Sequence, residues 1–362
     1  MPESLPAGAR VYLRPTGFVE APFGHDGRLM RLAGGLLWFS AVELIVREGG
    51  RRIVQRLVPV TAFDELPDAA GPILARLAAP RAPLTLGERV LRFDQPHIMS
   101  ILNLTPDSFS DGGRVTNTEE GAATAVAHAA AGASIVDIGG ESTRPGAPPL
   151  WEGDEIARVV PVIERLVQSG VPLSIDTRKA AVMEAALTAG AHLVNDVSAL
   201  GFDPRAMEVV SRRSAPVVLM HHQGLPETMQ QAPSYEDVLL DVYDWLEARL
   251  DAAVAAGVAR ERILIDPGIG FGKTLAHNLA LLNGLSLFHG LGSVLLLGAS
   301  RKRVVGALSN EAPVGQRLGG SIALLQHGLG QGAQILRVHD VAESVQAMRV
   351  WRGLRDAALT PG

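Results

Sequence analysis

Cysteine is missing altogether from the 362 residues. That excludes a disulfide framework, a thiolate nucleophile and a thiolate metal site, and it fits a reducing compartment. A surplus of basic charge is missing too: 33 Lys and Arg stand against 38 Asp and Glu, a net charge of -5. Non-specific nucleic-acid binding needs the opposite balance. No membrane span is expected: the most apolar window near the start, 32–46, is short and carries Glu43. The opening stretch, MPESLPAGARVYLRP, has no basic region followed by an apolar one, so no signal peptide is expected. With 47% hydrophobic and 20% charged residues the chain is not a disordered one. These exclusions leave a globular, cytoplasmic protein that engages neither nucleic acid nor membrane. At about 150 residues per domain the length suggests roughly two domains.

The first 80 residues differ from the rest. Leu36–Arg47 and Arg51–Val60 are β-prone runs separated by Glu48-Gly49-Gly50, which predicts a hairpin. A short helix is expected over Ala69–Ala78, and Pro80-Arg81-Ala82-Pro83 reads as a linker. The expected organisation is therefore a small β-rich accessory domain of unassigned role over 1–80 and a second domain over 84–362.

Leu84–Phe93 predicts another small hairpin around Gly87-Glu88. Beyond it eight short apolar runs alternate with helical patterns: His97–Leu102, Ser134–Ile138, Val171–Ile175, His192–Val194, Pro216–Met220, Arg262–Ile265, Ser293–Leu297 and Gln334–Leu336. Helices are expected between them, among others over Glu119–Ala131, Asp154–Gln168, Arg178–Ala189 and Tyr235–Ala256. Apolar strands alternating with helices imply parallel pairing buried on both faces. Eight such units predict an α/β fold, a closed (β/α)8 barrel. The alternative, a doubly wound open sheet, usually carries a G-x-G-x-x-G turn after its first strand, and none is present here.

Each run ends in a polar residue: Asn103, Asp137, Asp176, Asn195, His221, Asp266, Ser300 and Arg337. In a barrel these ends converge on one rim, where active sites are built. One polar residue after a strand means little; eight in succession point to a site. The segments that follow add to it. Residues 101–113 (ILNLTPDSFSDGG) and 137–146 (DIGGESTRPG) are long and glycine-containing, and Arg144 is suited to clamping an anion. Asp266–Lys273 is glycine-rich but has the wrong spacing for a Walker phosphate loop. Asp176, Asn195 and Asp266 suit a flat, donor-rich heterocycle, because a carboxylate accepts two parallel N–H bonds. Arg337, His339 and Lys302 suit a phosphate or diphosphate. A substrate joining a heterocycle to a diphosphate satisfies both ends. His221 and His222 are adjacent, and neighbours at a strand end face opposite ways, which argues against a paired metal site.

Across these segments the sequence resembles the dihydropteroate synthase family. The stretches that carry the resemblance are ILNLTPDSFSDGG (101–113), GASIVDIGGESTRPGA (132–147), SIDTRKAAV (174–182), VNDVSAL (194–200), LMHHQGLPETMQ (219–230), DPGIGFGKT (266–274), GASRKRVVG (298–306) and RVHDV (337–341). The resemblance implies a (β/α)8 barrel that joins 6-hydroxymethyl-7,8-dihydropterin diphosphate to p-aminobenzoate with Mg2+ assistance. It assigns Asp137, Asp176, Asn195, Asp266 and Lys302 to the pterin, and Asn103, Arg337 and His339 to the diphosphate, with Asn103 on the metal. It assigns Phe109, Thr143, Pro145, Phe271 and Ser300 to p-aminobenzoate. Asp176, Lys302, Asp111 and Arg144 are its catalytic candidates, and a homodimer is the implied assembly. The segment His221-His222-Gln223 departs from the family's usual pattern, and 1–80 lies outside its catalytic core. Two rivals share features of this barrel: a pterin-binding methyltransferase and a catalytically silent paralogue. Neither accounts for the 101–113 loop, the Ser300-Arg301-Lys302 segment and Arg337-Val338-His339-Asp340 all being present.

Overall fold

The computed structural model describes residues 5–6, 8–104, 114–141, 149–224, 229 and 231–360, with backbone alone at 114–117. The chain opens with β1 (Arg10–Val19), β2 (Met30–Arg31), β3 (Trp38–Glu48) and β4 (Arg51–Pro59). β1, β2 and β4 all pair antiparallel with β3. The β3–β4 hairpin matches the sequence expectation. Its turn is Gly49-Gly50, with both φ angles positive (52° and 81°), which suits a two-residue turn matched to strand twist. β1 was not expected, because Pro15 and Gly17 interrupt its apolar alternation.

Helix α1 (Gly71–Ala78) follows, then a small hairpin of β5 (Leu84–Leu86) and β6 (Arg89–Leu91). The segment read as a linker is pinned in place. The Arg81 guanidinium is buried and donates to the carbonyls of Arg76 (2.8 Å), Ala79 (3.1 Å) and His289 (2.9 Å).

Eight parallel strands then close a barrel: β7 (His97–Asn103), β8 (Ile135–Gly139), β9 (Leu173–Asp176), β10 (Leu193–Asp196), β11 (Val217–Met220), β12 (Ile263–Asp266), β13 (Val294–Leu297) and β14 (Ile335–Val338), with β14 pairing back to β7. Around it lie α2 (Arg114–Ala131), α3 (Glu152–Leu166), α4 (Ala180–Ala189), α5 (Ala206–Arg213), α6 (Val238–Ala255), α7 (Leu275–Asn283), α8 (Arg303–Leu308), α9 (Leu318–Gly330) and α10 (Val341–Leu359). The predicted (β/α)8 barrel with a β-rich N-terminal extension is the observed architecture. α6 starts three residues later than expected, because Asp237 caps it: its side chain accepts from the Leu240 N–H at 3.3 Å.

Strand alternation divides the barrel's apolar residues into two cores. Met99, Ile135, Leu193, Val218, Leu264, Leu296 and Ile335 point inward, and Leu84, Leu86, Leu91 and Phe93 from the β5–β6 segment pack with them. The outward-facing residues pack against the helices in a cluster that also takes in Tyr12, Leu13, Phe39 and Leu44 of the N-terminal sheet. Tyr12 meets Tyr243 of α6 edge-on at 5.4 Å, and Phe288 stacks behind Tyr243 at 6.3 Å. Among the described residues no helix is long and apolar enough to cross a membrane.

Candidate active site

The inward register that fills the barrel also aims the site. Two residues beyond Ile135, Leu193, Leu264 and Ile335, the same face of each strand presents Asp137, Asn195, Asp266 and Arg337. Asn103 and Asp176 hold the equivalent positions on β7 and β9. Two inward glycines make room between them. A Cβ on Gly139 would lie 3.5 Å from Asn103 Oδ1 and 3.7 Å from Asp176 Oδ2; one on Gly298 would lie 3.4 Å from Asp266 Oδ2.

At the centre Arg337 bridges two carboxylates. Its Nε donates to Asp137 Oδ2 and its Nη2 to Asp176 Oδ2, both at 2.6 Å. Asn195 Nδ2 donates to the same Asp137 oxygen at 2.8 Å. The second oxygens, Asp137 Oδ1 and Asp176 Oδ1, are buried and have no hydrogen-bond partner among the described residues. Burial pushes the Asp176 carboxyl up to about 7, with Asp137 adding to the rise and Arg337 opposing it.

A second cluster lies on the β12 and β13 ends. Asp266 Oδ1 accepts from the Gly268 N–H at 2.7 Å. Burial raises its carboxyl, against the pull of Lys302. The Lys302 ammonium donates to the Ile269 carbonyl and lies 4.3 Å over the Phe271 ring. Burial lowers Lys302 to about 8, against the neighbouring Asp266 carboxylate. Ser300 Oγ accepts from the His339 backbone N–H at 3.2 Å and lies 3.1 Å from His339 Nδ1. A hydroxyl both donates and accepts, so Ser300 pairs with either tautomer of the His339 ring. Burial, reinforced by Arg337 and Arg301, lowers His339 to about 4, so the ring is neutral near pH 7.

The structure thus gathers Asn103, Asp137, Asp176, Asn195, Asp266, Phe271, Ser300, Lys302, Arg337 and His339 at one end of the barrel. Phe109, Asp111, Thr143, Arg144 and Pro145 lie outside the described residues. Arg337, read as an anion ligand, here spends Nε and Nη2 on carboxylates. Nη1 has no partner among the described residues.

Three features escaped the sequence reading. Lys273 is buried and ties the glycine-rich loop together, donating to the carbonyls of Gly268 and Phe271, each at 2.9 Å, and reaching His221 Nδ1 at 2.8 Å. Burial pushes its ammonium well below the usual lysine range and His221 far below the usual histidine range. His221 is therefore a partner of the loop. Arg301 and Asp340 form an ion pair that joins the β13 and β14 loops, with Nε to Oδ2 at 2.9 Å. Glu141 accepts from Leu150 N–H (2.9 Å) and pairs with Lys179 (3.0 Å) and Arg178 (3.3 Å), across the β8 and β9 ends. Lys273, Arg301, Asp340 and Glu141 all lie in segments that the sequence marks, but no local pattern pairs them with their partners.

The family described as "Pterin binding enzyme" matches residues 99–339. The dihydropteroate synthase of Escherichia coli K12 is 47% identical over 265 residues, covering 72% of this chain and 92% of that protein. This chain belongs to the dihydropteroate synthase family. It is a pterin-binding transferase. Among solved structures, Xanthomonas albilineans dihydropteroate synthase with 4-aminobenzoic acid superposes with a TM-score of 0.72 at 46% identity, over 76% of this chain and 98% of that one. The same organism's enzyme in complex with 7,8-dihydropteroate gives 0.69 at 44% identity, over 76% and 99%.

Proposed function

We propose that the barrel rim carries out its substitution by a dissociative route, with the acidic cluster on the pterin and the Arg337–His339 end on the diphosphate. The reaction is the family's: 6-hydroxymethyl-7,8-dihydropterin diphosphate and p-aminobenzoate give 7,8-dihydropteroate and diphosphate. Two oxygens carry the residue assignment. Asp137 Oδ1 and Asp176 Oδ1 are buried acceptors without a partner among the described residues. Buried carboxylate oxygens call for donors, and a reduced pterin offers a row of ring and amino N–H groups. Asn195, Asp266 and Lys302 complete that pocket.

The methylene C–O bond breaks first, and its electron pair leaves on the diphosphate. The resulting cation is shared with the electron-rich pterin, and the Asp176 carboxylate stabilises it. The arylamine lone pair then forms the C–N bond, and the nitrogen gives up a proton to solvent. An uncharged arylamine is already nucleophilic, so no strong general base is needed. Neutral His339, in the tautomer that carries its proton on Nε2, offers that N–H to the leaving anion, and Arg337 offers Nη1. Phe109, Thr143, Pro145, Phe271 and Ser300 are assigned to p-aminobenzoate, and Asp111 and Arg144 to catalysis beside Asp176 and Lys302.

A Mg2+ ion fits the rim through Asn103. Its amide oxygen is a hard donor, and Mg2+ commonly takes few protein ligands and fills its sphere with water and substrate phosphate. Among the described residues no group of three His, Asp or Glu side chains is placed to hold it without substrate. Bound there, Mg2+ neutralises charge on the diphosphate. The same reading makes the protein a cytoplasmic homodimer. Val350 and Leu354, one turn apart and exposed on α10, are apolar residues for such an interface to cover.

Diphosphate release by the purified full-length protein, with and without p-aminobenzoate, is the test. Release that depends on the arylamine supports the synthase. Pterin binding without release would leave a silent binding protein in its place.

A further inference from the structure

The N-terminal sheet lies outside residues 99–339, the span the family matches, yet it is joined to the active-site rim. Arg52 of β4 grips Asp237, the cap of α6, with two bonds: Nε to Oδ2 at 2.6 Å and Nη2 to Oδ1 at 3.2 Å. Arg47 of β3 pairs with Asp241 at 2.6 Å and Glu236 at 3.2 Å. The β3–β4 turn rests directly on this segment: a Cβ on Gly50 would lie 2.1 Å from Glu236 Oε2. Asp241 in turn accepts from the backbone N–H groups of Glu236 (2.9 Å) and Asp237 (3.1 Å). Two residues before the cap, the Tyr235 hydroxyl donates to the Gly272 carbonyl at 2.8 Å. Gly272 directly follows Phe271, whose ring lies under Lys302. Gln223, which shares two hydrogen bonds with Ser234, presses on the same point: a Cβ on Gly272 would lie 2.3 Å from its carbonyl oxygen.

We infer that the N-terminal sheet positions the p-aminobenzoate end of the active site, through Arg52–Asp237 and Tyr235–Gly272, onto Phe271. Arg52 and Tyr235 are positioning residues; neither touches the rim cluster. The inference rests on the assignment of Phe271 to p-aminobenzoate. The sheet holds the start of α6, the segment before α6 holds the loop, and the loop sets the ring against which the arylamine packs.

The test is steady-state kinetics of the full-length chain with each substrate varied in turn, beside the thermal midpoint, for Arg52→Ala, Arg52→Lys, Tyr235→Phe and Phe271→Ala. Positioning predicts that Arg52→Ala and Tyr235→Phe raise KM for p-aminobenzoate by roughly 3- to 30-fold, the usual range for coupling through a packed network. KM for the pterin diphosphate should stay within about twofold, because its carboxylates sit on other strands. Arg52→Lys, which keeps the charge and loses the two-pronged grip, should fall between wild type and Arg52→Ala. Should Arg52→Ala fail to fold, Tyr235→Phe still decides, since it removes one hydroxyl. A lower thermal midpoint with both KM values unchanged, or with both raised alike, would reduce the sheet to scaffolding. If Phe271→Ala raises KM for p-aminobenzoate and the two positioning variants do not, the inference alone is wrong. An unchanged KM in Phe271→Ala overturns the assignment beneath it as well.

Discussion

At the scale of single residues, pH separates the parts. Asp176 sits at about 7 because burial opposes its charge, and its proposed task needs the carboxylate. Activity of the free enzyme, kcat/KM, must therefore rise as pH climbs through about 7. Lys302 sits at about 8 for the same reason, and its contacts to Ile269 and Phe271 are those of an ammonium. Activity must fall as pH climbs beyond about 8. The expected profile is a narrow bell whose limbs belong to coupled groups, since Asp137, Asp176 and Arg337 share bonds. Asp176→Asn should flatten the acid limb and lower kcat on the order of 100- to 1000-fold, the size of losing one electrostatic stabiliser. Pterin affinity, read by equilibrium titration, should fall by less than kcat does. An acid limb that survives in Asp176→Asn assigns it to another group. Lys302→Met should likewise erase the alkaline limb, in the same kcat/KM profile.

At the scale of elements, the strands were legible and their joints were not. A strand buried on both faces has to be apolar along its length, so eight short runs marked eight strands. Asp137, Asp176, Asn195 and Asp266 were legible for the complementary reason: a polar residue ending such a run must face the rim. Lys273 was illegible because its partners are backbone carbonyls and a histidine 52 positions away, which no local pattern announces. β1 was hidden by Pro15 and Gly17, and Asp237 looked helical because a cap differs from a first-turn residue only in its dihedrals. The β12–α7 loop shows how tightly such joints are set. Gly268 has φ +69°, and a Cβ there would lie 1.9 Å from the His221 carbonyl oxygen. Gly268→Ala therefore pays twice, in backbone strain and in a backbone clash. Urea denaturation should show a loss of more than about 2 kcal/mol, with the Asp266 end of the pocket impaired. A loss under about 0.5 kcal/mol, the ordinary surface range, would mean the loop relaxes freely.

At the scale of the molecule, the N-terminal sheet and the barrel share one apolar cluster. Tyr12 is fully buried in it, meets Tyr243 edge-on, and places its hydroxyl 2.9 Å from both Asp244 oxygens. Ser286 ties its hydroxyl to the Pro15 carbonyl at 2.8 Å, so β1 is bonded to the barrel as well as packed on it. Two units that share a core cannot unfold independently without exposing it. Trp38 lies in β3 and Trp245 in α6, so variants retaining one tryptophan each report the two sides separately. Tyr12→Ala removes an aromatic ring from the joint, at a cost of about 3–5 kcal/mol by analogy with other buried aromatics. Its hydroxyl's loss leaves Asp244 facing Arg10 and Arg47 alone. Both tryptophan signals should move to the same lower denaturant midpoint and stay coincident. If the Trp38 transition alone moved, the sheet would be a separable attachment. The route from Arg52 to Phe271 would then run through a joint too weak to set the active site.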